Sequence, residues 1–211
     1  MSRWALVLPL LFLTPAQASW VKMPASELIG REVVSRDGRT LGEVEDVVID
    51  VRAARVPYAV LTFGGWMGLG EDLYAVPVKT LTPQPRSTSL VLNISTAPLV
   101  NVPGFRRDAW PGDAYWRAIP LPLAREHRPP LRQFVRASEL IGRAVTDRTG
   151  AHVGELEDAV LEYGLVLYLL FDYEEGAAHA PPLRLAPQVF SFPLGDDAAV
   201  VNLARERLAR R

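Results

Sequence analysis

The chain has 211 residues, of which 49% are hydrophobic and 22% are charged, and it carries no cysteine. This composition is typical of a folded globular protein, and the absence of cysteine excludes disulfides and a thiol nucleophile. The formal net charge of −1 gives no reason to expect nucleic acid as a main partner.

The first residues have the pattern of a secretory signal peptide over 1–18. Arg3 supplies a positive charge, residues 4–13 form an apolar run, and Ala16-Gln17-Ala18 has the small-x-small form of a cleavage site. The run is too short to span a bilayer, which takes about 20 residues. We therefore expect cleavage after Ala18 and a bacterial protein that is periplasmic or secreted. An uncleaved amphipathic anchor is the alternative.

The remainder of the chain repeats itself. Residues 25–31 and 137–143 both read Ala-Ser-Glu-Leu-Ile-Gly-Arg, and the match continues at a constant shift of 112 through residues 38–46 and 150–158. Two copies of one small domain are the simplest explanation. We predict a first domain over 19–116, a Pro/Arg-rich linker over 117–136 and a second, divergent domain over 137–211. They are called the first copy and the second copy below.

The sequence of each copy predicts a short helical or turn segment followed by short β-strands. Gly and Pro turns between strands indicate a small barrel or sandwich. The predicted strands of the first copy are 32–35, 41–51, 57–63, 73–78 and 89–94. Those of the second copy are 143–146, 153–162, 166–173, 184–187 and 198–203. We expect each copy to have its own core, with these residues mostly buried: Val44, Val48, Leu61 and Phe63 in the first copy, and Val160, Leu170 and Phe171 in the second.

Three motifs of the first copy, together with its ending, are typical of one known family. They are Ser26-Glu-Leu-Ile-Gly30, the acidic stretch 42–50, the glycine-rich stretch 64–71 with Ala75-Val-Pro77, and the ending Pro103-Gly-Phe105 with Trp110-Pro111. The first copy thereby resembles exported bacterial members of the PRC-barrel family, whose fold is shared with the cytoplasmic domain of the photosynthetic reaction-centre H subunit. The second copy resembles the family more weakly. The resemblance implies an all-β fold of two tandem small barrels with short helical segments at their ends. It also implies protein contacts without enzymatic activity, and it supplies no catalytic residues.

The glycine-rich stretch of the first copy is the best candidate for a contact site. Trp66, Met67 and Leu69 lie among four glycines, whereas the second copy has a charged and proline-rich stretch over 174–182. Loops often carry function, and exposed Trp and Met are typical of partner surfaces. The alternative is that these side chains fold back and plug the end of the barrel.

Two acidic runs are the best candidates for a metal site, but they offer few ligands. They are Glu43-Val-Glu-Asp46 and Glu155-Leu-Glu-Asp158. Calcium takes six or more oxygen ligands, so we interpret the runs as solvated strand faces, with Asp46 bonding backbone at a bend. His127, His152 and His179 share no metal-ligand spacing. We therefore predict no metal, no cofactor and no catalytic residue.

Arginines gather in the linker and at the C terminus. They could contact an anionic lipid surface or an acidic protein, although solvation is the simpler interpretation. They are Arg117, Arg125, Arg128, Arg132, Arg136, Arg205, Arg207, Arg210 and Arg211. The sequence thus favours a non-enzymatic interaction or assembly module of the cell envelope, with an unknown protein partner and no transmembrane span. A small-ligand or metal-binding module that uses the glycine loop or the acidic strands is the alternative.

Overall fold

The computed structural model describes residues 22–63, 72–84, 87–93, 103–118, 134–174, 181–193 and 197–204, and residue 208. The fold is mostly β with short helices, as predicted. The strands of the first copy are β1 (Met23–Pro24), β2 (Glu32–Val34), β3 (Thr40–Asp50), β4 (Arg55–Phe63), β5 (Leu73–Pro77), β6 (Leu81–Pro83) and β7 (Leu90–Leu92).

The second half of the chain holds seven further strands among the described residues. They are β8 (Phe134–Arg136), β9 (Arg143–Thr146), β10 (His152–Glu162), β11 (Leu165–Tyr173), β12 (Leu183–Leu185), β13 (Phe190–Ser191) and β14 (Ala199–Val201). The helices whose bounds the structure describes are short: α1 (Ala25–Leu28), α2 (Asp113–Ala118), α3 (Ala137–Leu140) and the 3-10 turns Val78–Thr80 and Pro187–Val189. None of the described helices is long and apolar enough to cross a membrane.

The described strands form one curled sheet that runs through both copies. Its order is β13-β14-β9-β10-β11-β4-β3-β2-β7-β6, and the strands β1, β5, β8 and β12 pair beside this path. Most neighbours are antiparallel, whereas β2 pairs with β7 and β9 pairs with β14 in parallel. The same connectivity therefore appears twice, on either side of the β4–β11 contact.

A β-bulge in each long strand resets the alternation of its side chains. In β3, Val44 lies opposite Leu61 and Asp46 lies opposite Val60, so Glu45 is the extra residue. In β10, Glu157 is the extra residue in the same way. Because a bulge shifts the pleat by one residue, Val44 and Val47 both reach the same core.

The repeated glycine that precedes each bulge is required by close approach of the neighbouring strand. A Cβ atom at Gly42 would lie 1.8 Å from the carbonyl oxygen of Thr62, and one at Gly154 would lie 1.8 Å from that of Asp172. No side chain fits there without moving backbone. This explains in physical terms why glycine stands at the same place in both copies.

The two copies exchange their first strands. β1 pairs with β10 of the second copy through Met23↔Leu161 and Pro24↔Val160. β8, which precedes the second copy, pairs with β3 of the first copy through Val135↔Ile49 and Arg136↔Val48. Each pair in one set is related to a pair in the other by the shift of 112, so the exchange is reciprocal.

A pseudo-two-fold relation also holds where β4 and β11 begin. The Val56 N–H donates to the Gly164 carbonyl at 2.8 Å, and the Val166 N–H donates to the Ala54 carbonyl at 2.9 Å. Arg55 and Leu165 form the bridge between these two bonds. The two copies therefore face each other as the halves of a symmetric dimer do, within one chain.

One hydrophobic core serves both copies, and the prediction of two separate cores is wrong. A single cluster contains Leu28, Val44 and Leu61 together with Leu140 and Phe171. The reason is the exchange, because α1 and α3 bring buried side chains into the interior between the two halves. All the residues predicted to be buried are buried except Leu170, which is half-buried.

Candidate protein-contact surfaces

The glycine-rich stretch joins two strands that are firmly held. β4 ends at Phe63, which is 4% exposed, and β5 begins at Leu73, which is 1% exposed. Thr62 pairs with Leu73 across the two strands. Trp66, Met67 and Leu69 themselves lie outside the described residues. The structure therefore fixes where this connection begins and ends.

An aromatic segment covers the outer face of the first copy. We call Phe105, Trp110, Tyr115 and Trp116 the aromatic cover. Five pairs among these four rings have centroids 5.1–6.0 Å apart, and the Trp116 centroid also lies 5.6 Å from that of Tyr58 and 6.4 Å from that of Phe134. The face beneath is apolar and consists of Val48, Tyr58, Val60, Leu73 and Ala75.

Hydrogen bonds fix the aromatic cover in place. The Leu73 N–H donates to the Phe105 carbonyl at 2.7 Å, and the Phe105 N–H returns a bond of 3.0 Å. The Tyr58 hydroxyl donates to the Trp116 carbonyl at 3.0 Å. Burial raises the pKa of Tyr115 to about 12, and the hydroxyl of Tyr115 donates to the Pro103 carbonyl. The cover is thus a neutral, well-bonded second layer on the sheet.

Two arginines, Arg107 and Arg136, connect the aromatic cover to neighbouring strands. Arg107 forms an ion pair with Glu45, the bulge residue of β3, at 2.6 Å. The guanidinium of Arg136 lies 4.6 Å from the ring centroid of Trp110. Arg136 belongs to the exchanged strand β8, so the cover contacts both the first copy and the segment that completes it.

The equivalent face of the second copy has different chemistry. Val160, Tyr168 and Leu170 occupy the positions of Val48, Tyr58 and Val60. The Tyr168 ring carries two cations, with Lys22 Nζ at 4.7 Å and Arg184 Cζ at 5.4 Å from its centroid. In the part of the second copy that the structure describes, no aromatic segment lies over this face.

Carboxylates stand at one end of this second face. Glu155 lies opposite Asp172, and both are exposed, as is the bulge residue Glu157. Partial burial, together with the charges of Asp172 and Asp158, raises the pKa of Glu157. None of the ion pairs among the described residues involves Glu155, Glu157 or Asp172.

The aspartates that end the two acidic runs cap the helices of the opposite copy. Asp158 accepts bonds from the Ala25 N–H at 3.0 Å, the Ser26 N–H at 3.3 Å and the Ser26 hydroxyl at 2.5 Å. Asp46 accepts from the N–H and the hydroxyl of Ser138 at 3.2 and 2.5 Å. These oxygens satisfy the free N–H groups at the start of α1 and α3.

The burial of Asp46 has an electrostatic cost. Desolvation raises the pKa of Asp46, and the hydrogen bonds from Ser138 and the Val47 N–H oppose that shift. The backbone bond to Val47 matches the predicted role of Asp46 at a bend. Its bonds to Ser138 were not predicted, because the sequence does not say which copy a helix packs on. The sequence did contain one indication of these bonds: the repeat shift of 112 relates Ser26 to Ser138 and Asp46 to Asp158.

The other candidate residues do not come together in the described structure. The described residues contain no group of three or more His, Asp or Glu side chains arranged to hold a metal ion. His152 contacts Glu174 at 2.9 Å in an exposed position. His127 and His179 lie outside the described residues, as do Arg125, Arg128, Arg132, Arg205, Arg207, Arg210 and Arg211.

The comparison with known families agrees with the architecture of the first copy. Residues 21–95 match the family model of the PRC-barrel domain. The match covers β1 to β7 and ends before the aromatic cover. No curated protein matches the chain in sequence. The matched range contains β1 and α1, which in this structure complete the second copy.

Proposed function

We propose, from the PRC-barrel match over residues 21–95, that this chain is a non-enzymatic interaction module that binds a protein partner in the bacterial cell envelope. The proposed contact site is the connection that carries Trp66, Met67 and Leu69. Its domains are two PRC-type barrels, over 19–116 and 137–211, that exchange their first strand and helix. Export by the signal peptide over 1–18 belongs to the same proposal.

The observation that supports this contact site is how the connection is held. Its two ends, Phe63 and Leu73, are buried in paired strands, and Leu73 is bonded on its other side to Phe105 of the aromatic cover. A connection on such a rigid base can present side chains to a partner at a low entropic cost. The alternative function, metal binding by the acidic strands, has less support where it would use Asp46 and Asp158. The carboxylate oxygens of these two residues already accept hydrogen bonds from Ser138 and Ser26.

Replacing Trp66 by Ala should weaken partner capture and leave the melting temperature nearly unchanged. Trp side chains contribute much of the binding energy where partners bury surface, whereas an exposed side chain contributes little to folding. The measurement compares the partner retained from envelope extract by immobilised wild type and by Trp66→Ala, with melting followed in parallel. Leu165→Ala is the matched control, because Leu165 is an exposed apolar residue of the second copy.

The alternative, that Trp66 plugs its own barrel, predicts the opposite result. Truncation of a large core aromatic costs about 3–5 kcal/mol. A Trp66→Ala protein that melts many degrees lower and still retains the partner would show that the loop is structural.

A further inference from the structure

The outer faces of the two copies correspond position by position, but among the described residues only the face of the first copy is covered by an aromatic segment. In the first copy the rungs of the face are Glu43–Thr62, Asp46–Val60 and Val48–Tyr58. In the second copy they are Glu155–Asp172, Asp158–Leu170 and Val160–Tyr168. Each face thus carries apolar side chains beside a buried aspartate, Asp46 or Asp158, and the same bulge glutamate, Glu45 or Glu157, stands next to that aspartate.

The first copy shows which kind of segment can pack on such a face. A segment that ends in α2 and carries adjacent arginines and several aromatic residues lies on it, with Phe105 and Trp116 on apolar residues of the face and Arg107 on Glu45. The segment is held through side chains and through the backbone pair of Phe105 with Leu73. A basic and aromatic polypeptide is thus a ligand of this face within the same molecule.

Among the described residues, the second face has no counterpart of the ion pair that Glu45 forms with Arg107. Partial burial raises the pKa of Glu157, and the negative charges of Asp172 and Asp158 raise it further. No cation among the described residues pairs with Glu157 or Asp172, and Leu170 beside them is only half-buried. The Lys22 and Arg184 cations lie over the Tyr168 ring, although Arg184 itself stands opposite Leu170 on β12. The carboxylate end is therefore complementary to a positive charge that the described part of the chain does not provide.

We propose that Glu157, Asp172 and Leu170 form a docking surface for a segment of a partner protein that presents arginine or lysine beside an aromatic side chain. The cation would lie between Glu157 and Asp172, as Arg107 lies on Glu45, and the aromatic ring would cover Leu170. Strand addition is a weaker part of this contact than in the first copy, because Pro182 precedes β12 and has no N–H to donate. The surface is separate from the proposed site at Trp66.

The test uses the intact mature protein and a synthetic peptide with the sequence of residues 103–118. Calorimetric titration should show saturable binding of one peptide per chain. The double variant Glu157→Gln with Asp172→Asn should weaken binding about tenfold or more, because it removes charge-assisted hydrogen bonds. It should fold normally, because it relieves repulsion between carboxylates. Glu43→Gln in the first copy is the matched control and should bind as the wild type does.

A second arm changes the probe and separates this proposal from the proposed function. A peptide in which the adjacent Arg106 and Arg107 are replaced by Ala should lose about tenfold in affinity, whereas Trp66→Ala in the protein should change nothing. The proposal is overturned by a peptide that does not bind the wild type, or that binds the Glu157→Gln, Asp172→Asn protein equally well. It is also overturned if the peptide binds only after residues 205–211 are deleted, because that result would mean that the chain's own terminus occupies the face in the wild type. A wild-type dimer that Leu170→Asp dissociates would identify a second copy as the occupant instead.

Discussion

Asp46 acts on a helix that is distant in sequence, and its position explains why a carboxylate is tolerated inside the fold. It is 2% exposed, yet it accepts hydrogen bonds from Val47 and Ser138. A buried carboxylate is costly unless donors surround it. The bulge at Glu45 places Asp46 where α3 of the second copy begins. One extra residue in a strand thus joins the two halves of the chain.

The raised pKa of Asp46 should appear in the pH dependence of stability. The ordinary value is 3.8, and burial raises it in the folded state. The folded protein therefore binds the proton more tightly than the unfolded chain, and the contribution of Asp46 to stability falls as pH rises through this window. Urea unfolding between about pH 3 and pH 7 should show that the free energy of wild type minus that of Asp46→Asn decreases with pH.

Asp37 provides a control of opposite sign. A hydrogen bond from Ser35 lowers the pKa of Asp37, which lies in an exposed turn. Its contribution to stability is present above pH 3.8 and is lost as pH falls through the lower folded value. The difference between wild type and Asp37→Asn should therefore increase with pH. Slopes of the same sign for the two variants would contradict the role assigned to Asp46.

At the scale of elements, the aromatic cover turns the outer face of the first copy into a second, smaller core. Trp116 contacts Tyr58, Phe105 and Phe134, which come from three separate parts of the chain. Its indole N–H donates to the Pro111 carbonyl at 3.0 Å, so its one polar atom is satisfied. The cover therefore contributes burial without leaving an unpaired donor.

Trp116→Ala should destabilise the protein by about 3–5 kcal/mol, because it leaves a cavity between the cover and the sheet. Tyr163→Ala is the matched control, since Tyr163 is an aromatic residue that is 55% exposed, and its change should stay within about 0.5 kcal/mol. Denaturant unfolding followed by far-UV circular dichroism measures both variants. Equal midpoints would show that the cover is only loosely attached to the face.

The local sequence pattern predicted most of the long strands, but it did not predict that the short strands β1 and β8 pair with the opposite copy. The alternating apolar residues of β3, β4, β10 and β11 and the turn at Gly38 were sufficient to place these strands. β1 and β8 have two and three residues, too few to carry a register signal, and their partners lie more than 80 residues away in sequence. The aromatic cover was recognised only as a family-like ending, because clustering on a sheet face is a tertiary property.

At the scale of the whole molecule, the exchange makes the two halves depend on each other. The inner faces of both copies close around one core, and the helix that completes each half is supplied by the other. The linker therefore joins two halves that share one core, and it raises their effective concentration while they fold.

Cleavage of the linker should leave the halves together. A site-specific protease sequence inserted between Pro122 and Leu123, in the intact protein, allows the chain to be cut after it has folded. We expect the two fragments to elute as one species in size-exclusion chromatography and to separate only in denaturant, because a shared hydrophobic core holds them. Two separate folded peaks after cutting would contradict the exchange.

The exchange also constrains how the two halves can drift apart over generations. A substitution at Ser26 is tested against Asp158, which the second half of the gene encodes, and one at Ser138 is tested against Asp46, which the first half encodes. The stretches 25–31 and 137–143, to which these serines belong, are identical in sequence. The connections 64–71 and 174–182 join neighbouring strands of a single half, and they share almost no residues. We therefore expect the stretches 25–31 and 137–143 to tolerate few substitutions, whereas the connections 64–71 and 174–182 can change independently and acquire separate functions.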